Sequence, residues 1–199
     1  MKASKLNREL RRAVSNYKYE QTEDGGILFP AAGAIMAGIF DIQKNDGPID
    51  YFPNLLVDQF LESALNQLFG GTAKIGTYYI APYAGNVSPG TGWTAANFAS
   101  NSTEFTAYDE AARQEWVTGA AAVAANVGSI SNSASKASFT VEATPAQTTI
   151  WGAGLLSASA KSATTGVLVA ANKAGSARDN LVEADVITIG YTLNFSDNS

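Results

Sequence analysis

The chain of 199 residues contains no cysteine and no histidine. Without cysteine there is no disulfide framework and no thiolate nucleophile. Without histidine, a Ser-His-Asp or Cys-His nucleophile has no base. Zinc, whose protein ligands are mostly His and Cys, is disfavoured as well. Charge is also scarce, at 16% of residues against about 25% in ordinary soluble domains. A surface so poor in charge and so rich in Ser, Thr, Asn, Ala and Gly suits a protein covered by partners, and equally an ordinary low-charge β domain.

Other absences narrow the field further. Residues 1–20 lack the apolar core of a signal peptide, so no secretion route is expected. Gly25 to Phe40 carries no charge, but it is short for a membrane span. Pro30 and four glycines (Gly25, Gly26, Gly33, Gly38) also interrupt it, so no membrane partner is expected. Gly152-Ala153-Gly154 lies inside an apolar run with no basic residue after it, which argues against a phosphate cradle and for a bulge or close sheet packing. No acidic calcium loop is present. Neither a metal nor a cofactor is expected.

What is present is a series of short apolar runs between Thr77 and Phe195, separated by turn residues. They are Tyr78–Ile80, Glu104–Tyr108, Glu115–Val117, Ala137–Val141, Ile150–Leu156, Gly166–Val169 and Val186–Phe195. Such spacing predicts a mainly β fold, an antiparallel β-sandwich of jelly-roll or immunoglobulin-like type. Residues 51–199 are expected to form this body, and residues 1–50 a basic arm followed by an extended apolar segment. Asn126–Ser135 and Ser157–Thr165 read as hairpin-type turns. The long stretch Ala84–Asn101 reads as a loop in which Trp93 and Phe98 either anchor to the body or contact a partner.

Charge is unevenly placed. Up to Lys18 there are six basic residues (Lys2, Lys5, Arg8, Arg11, Arg12, Lys18) against Glu9 alone, a net of +5; the rest holds seven basic and seventeen acidic residues, a net of −10. Leu6, Leu10 and Val14 recur every four residues, the pattern of either a short amphipathic helix that orders on contact or a solvated tail. A basic leader on an acidic body is expected to seek an acidic surface. Specific nucleic-acid binding is not expected, since the body repels phosphate and the leader would touch it only nonspecifically. The apolar segment reads as two extended pieces bent between Pro30 and Gly33. Its residues Ile27, Leu28, Phe29, Ile35, Met36, Ile39 and Phe40 are expected to pack on the body or under a neighbouring subunit.

One amphipathic helix is expected at about 54–69, with Asn54 as N-cap after Pro53. Leu56, Phe60, Leu61, Leu65, Leu68 and Phe69 form its stripe, and Gly70-Gly71 forms its stop. The stripe is expected to lie on the sheet, a partner helix being the alternative. Paired carboxylates are the one catalytic device this composition permits easily, and Glu104, Asp109, Glu110 and Glu115 flank Tyr108 and Trp116. A glycosidase needs two such groups across an aromatic-lined cleft. Glu110 and Arg113, however, read as a local ion pair in an exposed turn, and no catalytic residue is expected.

Several motifs add a resemblance: Thr77-Tyr-Tyr-Ile-Ala81, Gly85-Asn-Val-Ser-Pro89, Trp93-Thr-Ala-Ala-Asn-Phe98, Glu104 to Trp116, Ser131 to Thr140, Gly152 to Ser159 and Asp185-Val-Ile-Thr-Ile-Gly-Tyr-Thr-Leu193. They resemble those of small structural proteins of tailed bacteriophages: capsid decoration or cement proteins, or tail and fibre components. The resemblance implies a noncatalytic virion protein, assembled in the host cytoplasm and present as a homo-oligomer. Its implied partner is the major capsid protein or another virion protein. The alternative it leaves is a tail, baseplate or fibre component that acts as a binding module through the Trp93 loop, on a partner or a host glycan.

Overall fold

The structure is a computed structural model; it describes residues 20–21, 27–28 and 34–197, with side chains from 36 to 196. Two compact units are distinguished. In the first, β1 (Glu20–Gln21) and β2 (Ile27–Leu28) pair antiparallel. The second, residues 36–196, contains two packed antiparallel sheets, a β-sandwich.

One sheet has the order β4-β3-β13-β9-β8. Its strands are β3 (Ala34–Lys44), β4 (Asp50–Pro53), β8 (Ala122–Ala124), β9 (Val127–Ser131) and β13 (Val186–Asp197). β10 (Ala137–Thr140) also pairs with β13, Phe139 opposite Ile187. The other sheet runs β5-β12-β11-β6-β7: β5 (Leu55–Leu56), β6 (Tyr79–Tyr83), β7 (Gln114–Glu115), β11 (Ile150–Leu156) and β12 (Leu168–Arg178). Phe40, Ile42, Phe139, Ile187, Ile189 and Tyr191 from the first sheet meet Ile80, Ala153, Leu155 and Ala170 from the second in one core. Alternation places these side chains: Phe40 and Ile42 point inward while Ala37 and Ile39 point out.

The arm boundary at residue 50 needs correction. Residues 36–44 are a core strand, because Phe40 and Ile42 are fully buried and β3 lies between β4 and β13. Gly38 is part of that placement. The Tyr191 hydroxyl lies where its Cβ would stand, while Asn54 receives the Gly38 N–H at 2.7 Å and donates to that hydroxyl at 2.6 Å. Asn54 therefore closes the β3–β4 pairing and is no N-cap. The first helix, α1 (Asp58–Leu68), starts one turn later behind Val57, and Gly71 at φ +74° follows its end.

The body holds a second helix within the stretch expected to be a loop: α2 (Ala95–Ser102), capped where Asn97 accepts the Thr94 N–H at 2.8 Å. Phe98 on α2 is completely buried, packed edge-on against Tyr83 and Trp93. The Gly152–Gly154 run behaves as expected of close packing and a bulge. The β11–β12 register shifts after Ile150, and a Cβ on Gly154 would stand 2.6 Å from the Phe98 ring. Glu104–Tyr108 is not a strand; it touches the sheets through single bridges, Tyr83 with Glu104 and Tyr108 with Val141.

Candidate docking surface

α1 lies on β12, and Gln59 ties it down. The Gln59 carboxamide oxygen accepts the Ala95 and Leu168 N–H groups, both at 2.9 Å, and its nitrogen donates to Gly166. Phe60 is the helix's one buried residue, with Ala64 partly buried beside it. The rest of the expected stripe turns outward: Leu61 is 45% exposed, Leu65 60%, Leu68 69% and Phe69 83%. The expectation that this stripe packs on the sheet therefore holds only for Phe60 and the half-buried Leu56. The helix has two apolar faces, and one sheet can cover only one of them.

On the helical wheel, Asp58 and Glu62 border the exposed leucines. Both also line a groove of about 340 Å³ with Gln59, Thr91, Gly92, Trp93 and Thr94. Trp93 is half-buried, its ring edge-on to Phe98 at 6.4 Å. Trp93 thus remains at the surface, whereas Phe98 is a core anchor and has no surface to offer a partner. The expected partner residues of the apolar segment separate in the same way: Ile39 is exposed, Met36 half-buried and Phe40 in the core. Ile27, Leu28 and Ile35 lie in described strands, but their side chains lie outside the described residues, as do Phe29, Lys2, Lys5, Arg8, Arg11, Arg12 and Lys18.

The candidate carboxylates go to separate tasks. Glu104 is buried and forms a two-pronged ion pair with Arg113, at 2.8 Å to Nε and 2.7 Å to Nη2, while accepting the Ser162 N–H at 3.0 Å. Arg113 also donates to the Ala158 and Ala163 carbonyls. Arg113 therefore pairs with Glu104, correcting the Glu110–Arg113 turn pair. Glu110 instead accepts the Thr140 N–H on both oxygens at 3.1 Å. Asp109 is exposed. Glu115 lines a separate groove of about 300 Å³ with Tyr78, Trp116, Thr118 and Lys74. Trp116 is fixed there by its indole N–H, 2.9 Å from the Tyr191 carbonyl. Burial pushes the Tyr78 hydroxyl above its ordinary pKa, against a hydrogen bond from Gln67 that lowers it. Both Glu104 oxygens are thus taken up by Arg113 and the Ser162 amide.

A third concavity, about 510 Å³, lies beside Lys44 and Arg178. Its cations are already engaged: Lys44 with Asp185 at 2.9 Å, Arg178 with the Ile42 carbonyl and with Asp50. Burial raises the Asp185 carboxyl, but the Val182 N–H, Asn45 and Lys44 outweigh it, so the group titrates below the usual carboxylate range. No described helix is long and apolar enough to cross a membrane.

No family model matches the sequence, and no curated protein matches it. The docking surface therefore has to be understood from its own chemistry. Its leucines were visible in the sequence as a helical stripe. Which of them faced outward depended on how far Gln59 and Phe60 rotate the helix onto β12. The sequence expectation missed the groove because Trp93 and Asp58 are 35 positions apart and are brought together by the fold, where the Asp58 N–H reaches the Thr91 carbonyl at 3.0 Å.

Proposed function

We propose that this protein is a noncatalytic structural protein of a tailed-bacteriophage virion, a capsid cement or decoration protein that binds between capsomers and stiffens the head. The observation that carries this reading is the exposed apolar ridge of α1. Three leucines more than 40% exposed on one helix face are costly in free solution, and a neighbour in a shell would cover them. Covering apolar surface contributes about 25 cal/mol per Å² before association costs are subtracted. The low charge of the chain and the motif resemblance support the same reading. The +5 leader supplies electrostatic docking on an acidic neighbour, and the exposed Ile39 supplies further apolar area. Localisation in the virion, after assembly in the host cytoplasm, follows from this role.

Copy number per purified particle, measured by quantitative mass spectrometry, tests it. A cement protein is present in proportion to the capsomers and leaves with stripped decoration; a few copies that stay with isolated tails would overturn it. Deleting residues 1–20 weakens attachment to the particle. The second reading, a tail, baseplate or fibre binding module, is favoured by the Tyr78–Trp116 groove, whose aromatic wall together with Glu115 and Thr118 suits a polar ligand with an apolar face.

A further inference from the structure

We propose that the exposed face of α1 is the docking site for the basic leader, residues 2–18, of a second copy of this chain. This names the leader's acidic neighbour and rests on that part of the function proposed above, but its test needs only the purified chain. The face has two parts in register: the ridge Leu61, Leu65 and Leu68, and the pair Asp58 and Glu62 one turn apart along its border. Like charges four residues apart on a helix repel and favour an incoming cation. The adjoining Trp93 ring is a further attraction for a guanidinium.

A census of cations identifies the occupant. Seven basic residues lie in the described body, and six are already engaged. Lys44 pairs with Asp185, Lys136 with Asp41, Arg113 with Glu104 and Arg178 with Asp50. Lys161 sits 3.7 Å over the Tyr108 ring and Lys173 4.9 Å over that of Trp151. Among the described residues, no cation pairs with Asp58 or Glu62. A contact of α1 with α1 would bring acid to acid. The leader is the one stretch of this sequence that combines apolar residues four apart (Leu6, Leu10, Val14) with clustered cations (Arg8, Arg11, Arg12). Its apolar residues recur every four positions, close to the four and three of the ridge, and its charge opposes that of the border. Such a leader-to-body contact closes as a dimer when two copies exchange leaders, and otherwise propagates head-to-tail into rings or open chains.

Sedimentation velocity on the full chain at low and high salt tests this. The wild type self-associates at low salt and dissociates as salt screens the pair. Leu65→Asp weakens association at least about tenfold, and so does the double change Asp58→Lys with Glu62→Lys. Both act at the solvent-exposed helix surface, and an unchanged circular dichroism spectrum verifies the fold. Adding Arg8→Glu, Arg11→Glu and Arg12→Glu to that double variant, a charge exchange across the interface, restores association. A monomeric wild type, association indifferent to the α1 changes, or failure of the exchange to restore it would each overturn the proposal. None of these outcomes depends on particle copy number, so the two readings fail separately.

Discussion

The turn around Arg113 and the outer face of α1 invert the ordinary placement of residues. In the turn a full ion pair is buried, every side-chain nitrogen of Arg113 facing an oxygen of Glu104, Ala158 or Ala163. On α1 three leucines face solvent beside two carboxylates that no described cation meets. In sequence the first reads as an exposed turn and the second as a stripe that packs on the sheet, and each became the reverse. The difference lies in what closes over them. The loop 157–163 folds over Arg113 and supplies backbone acceptors, and nothing described folds over α1. A buried charge with all its partners is a structural element, whereas exposed apolar area is unfinished surface.

Four measurements break or sharpen that contrast, from large effect to small. Glu104→Gln leaves Arg113 buried without its counterion and costs about 3–5 kcal/mol in urea unfolding. A loss below about 1 kcal/mol would show that the turn is not the closed unit described. Gly190→Ala drives a methyl group into the Asp41 carboxylate, which Lys136 holds in place, and costs about 1–3 kcal/mol; an unchanged melting temperature would rule that packing out.

Asp185 is the intermediate case, an ion pair only partly closed over. Its folded carboxyl titrates below the unfolded value of 3.8. The unfolded chain therefore binds the proton more readily, and the stabilisation is present above that value and lost as pH falls through the folded one. Asp185→Asn is expected to flatten this part of the acid limb, read as urea midpoint against pH; an unchanged slope would remove Asp185 from it. At the small end, Leu65→Asp changes unfolding stability by no more than about 0.5 kcal/mol. A much larger loss would mean that the α1 ridge is part of the monomer's own core.

The legible part of the fold was the part written locally. Strands β6, β10, β11 and β13 appear where apolar runs stand between turn residues, because a half-buried strand needs only alternation. The stop of α1 at Gly70-Gly71 was legible for a similar reason: a left-handed backbone is easiest for glycine. Helix α2 was less so. Thr94 and Asn97 are a capping pair with Asn in place of the usual Glu or Gln, just after the turn residues Pro89, Gly90 and Gly92. The β8–β9 hairpin turns through Ala125 at φ 48° and Asn126 at φ 64°. Only the second is a usual residue for that conformation, so the turn signal was half missing.

Sequence alone determined the chemistry this protein lacks, having neither thiol nor imidazole, and the uneven charge that sets a basic leader on an acidic body. It also determined that the body is built of strands, since period-two alternation and turn residues act over a few positions. Tertiary structure alone decided which charges are used and which stay available. Arg113 found Glu104 rather than Glu110, and Phe98 went inward while Trp93 stayed at the surface. The stripe of α1 was rotated until Phe60 faced the core and Leu61, Leu65 and Leu68 faced out. Each of these outcomes turns on which residues distant in the chain arrive opposite one another, and local pattern carries no record of that.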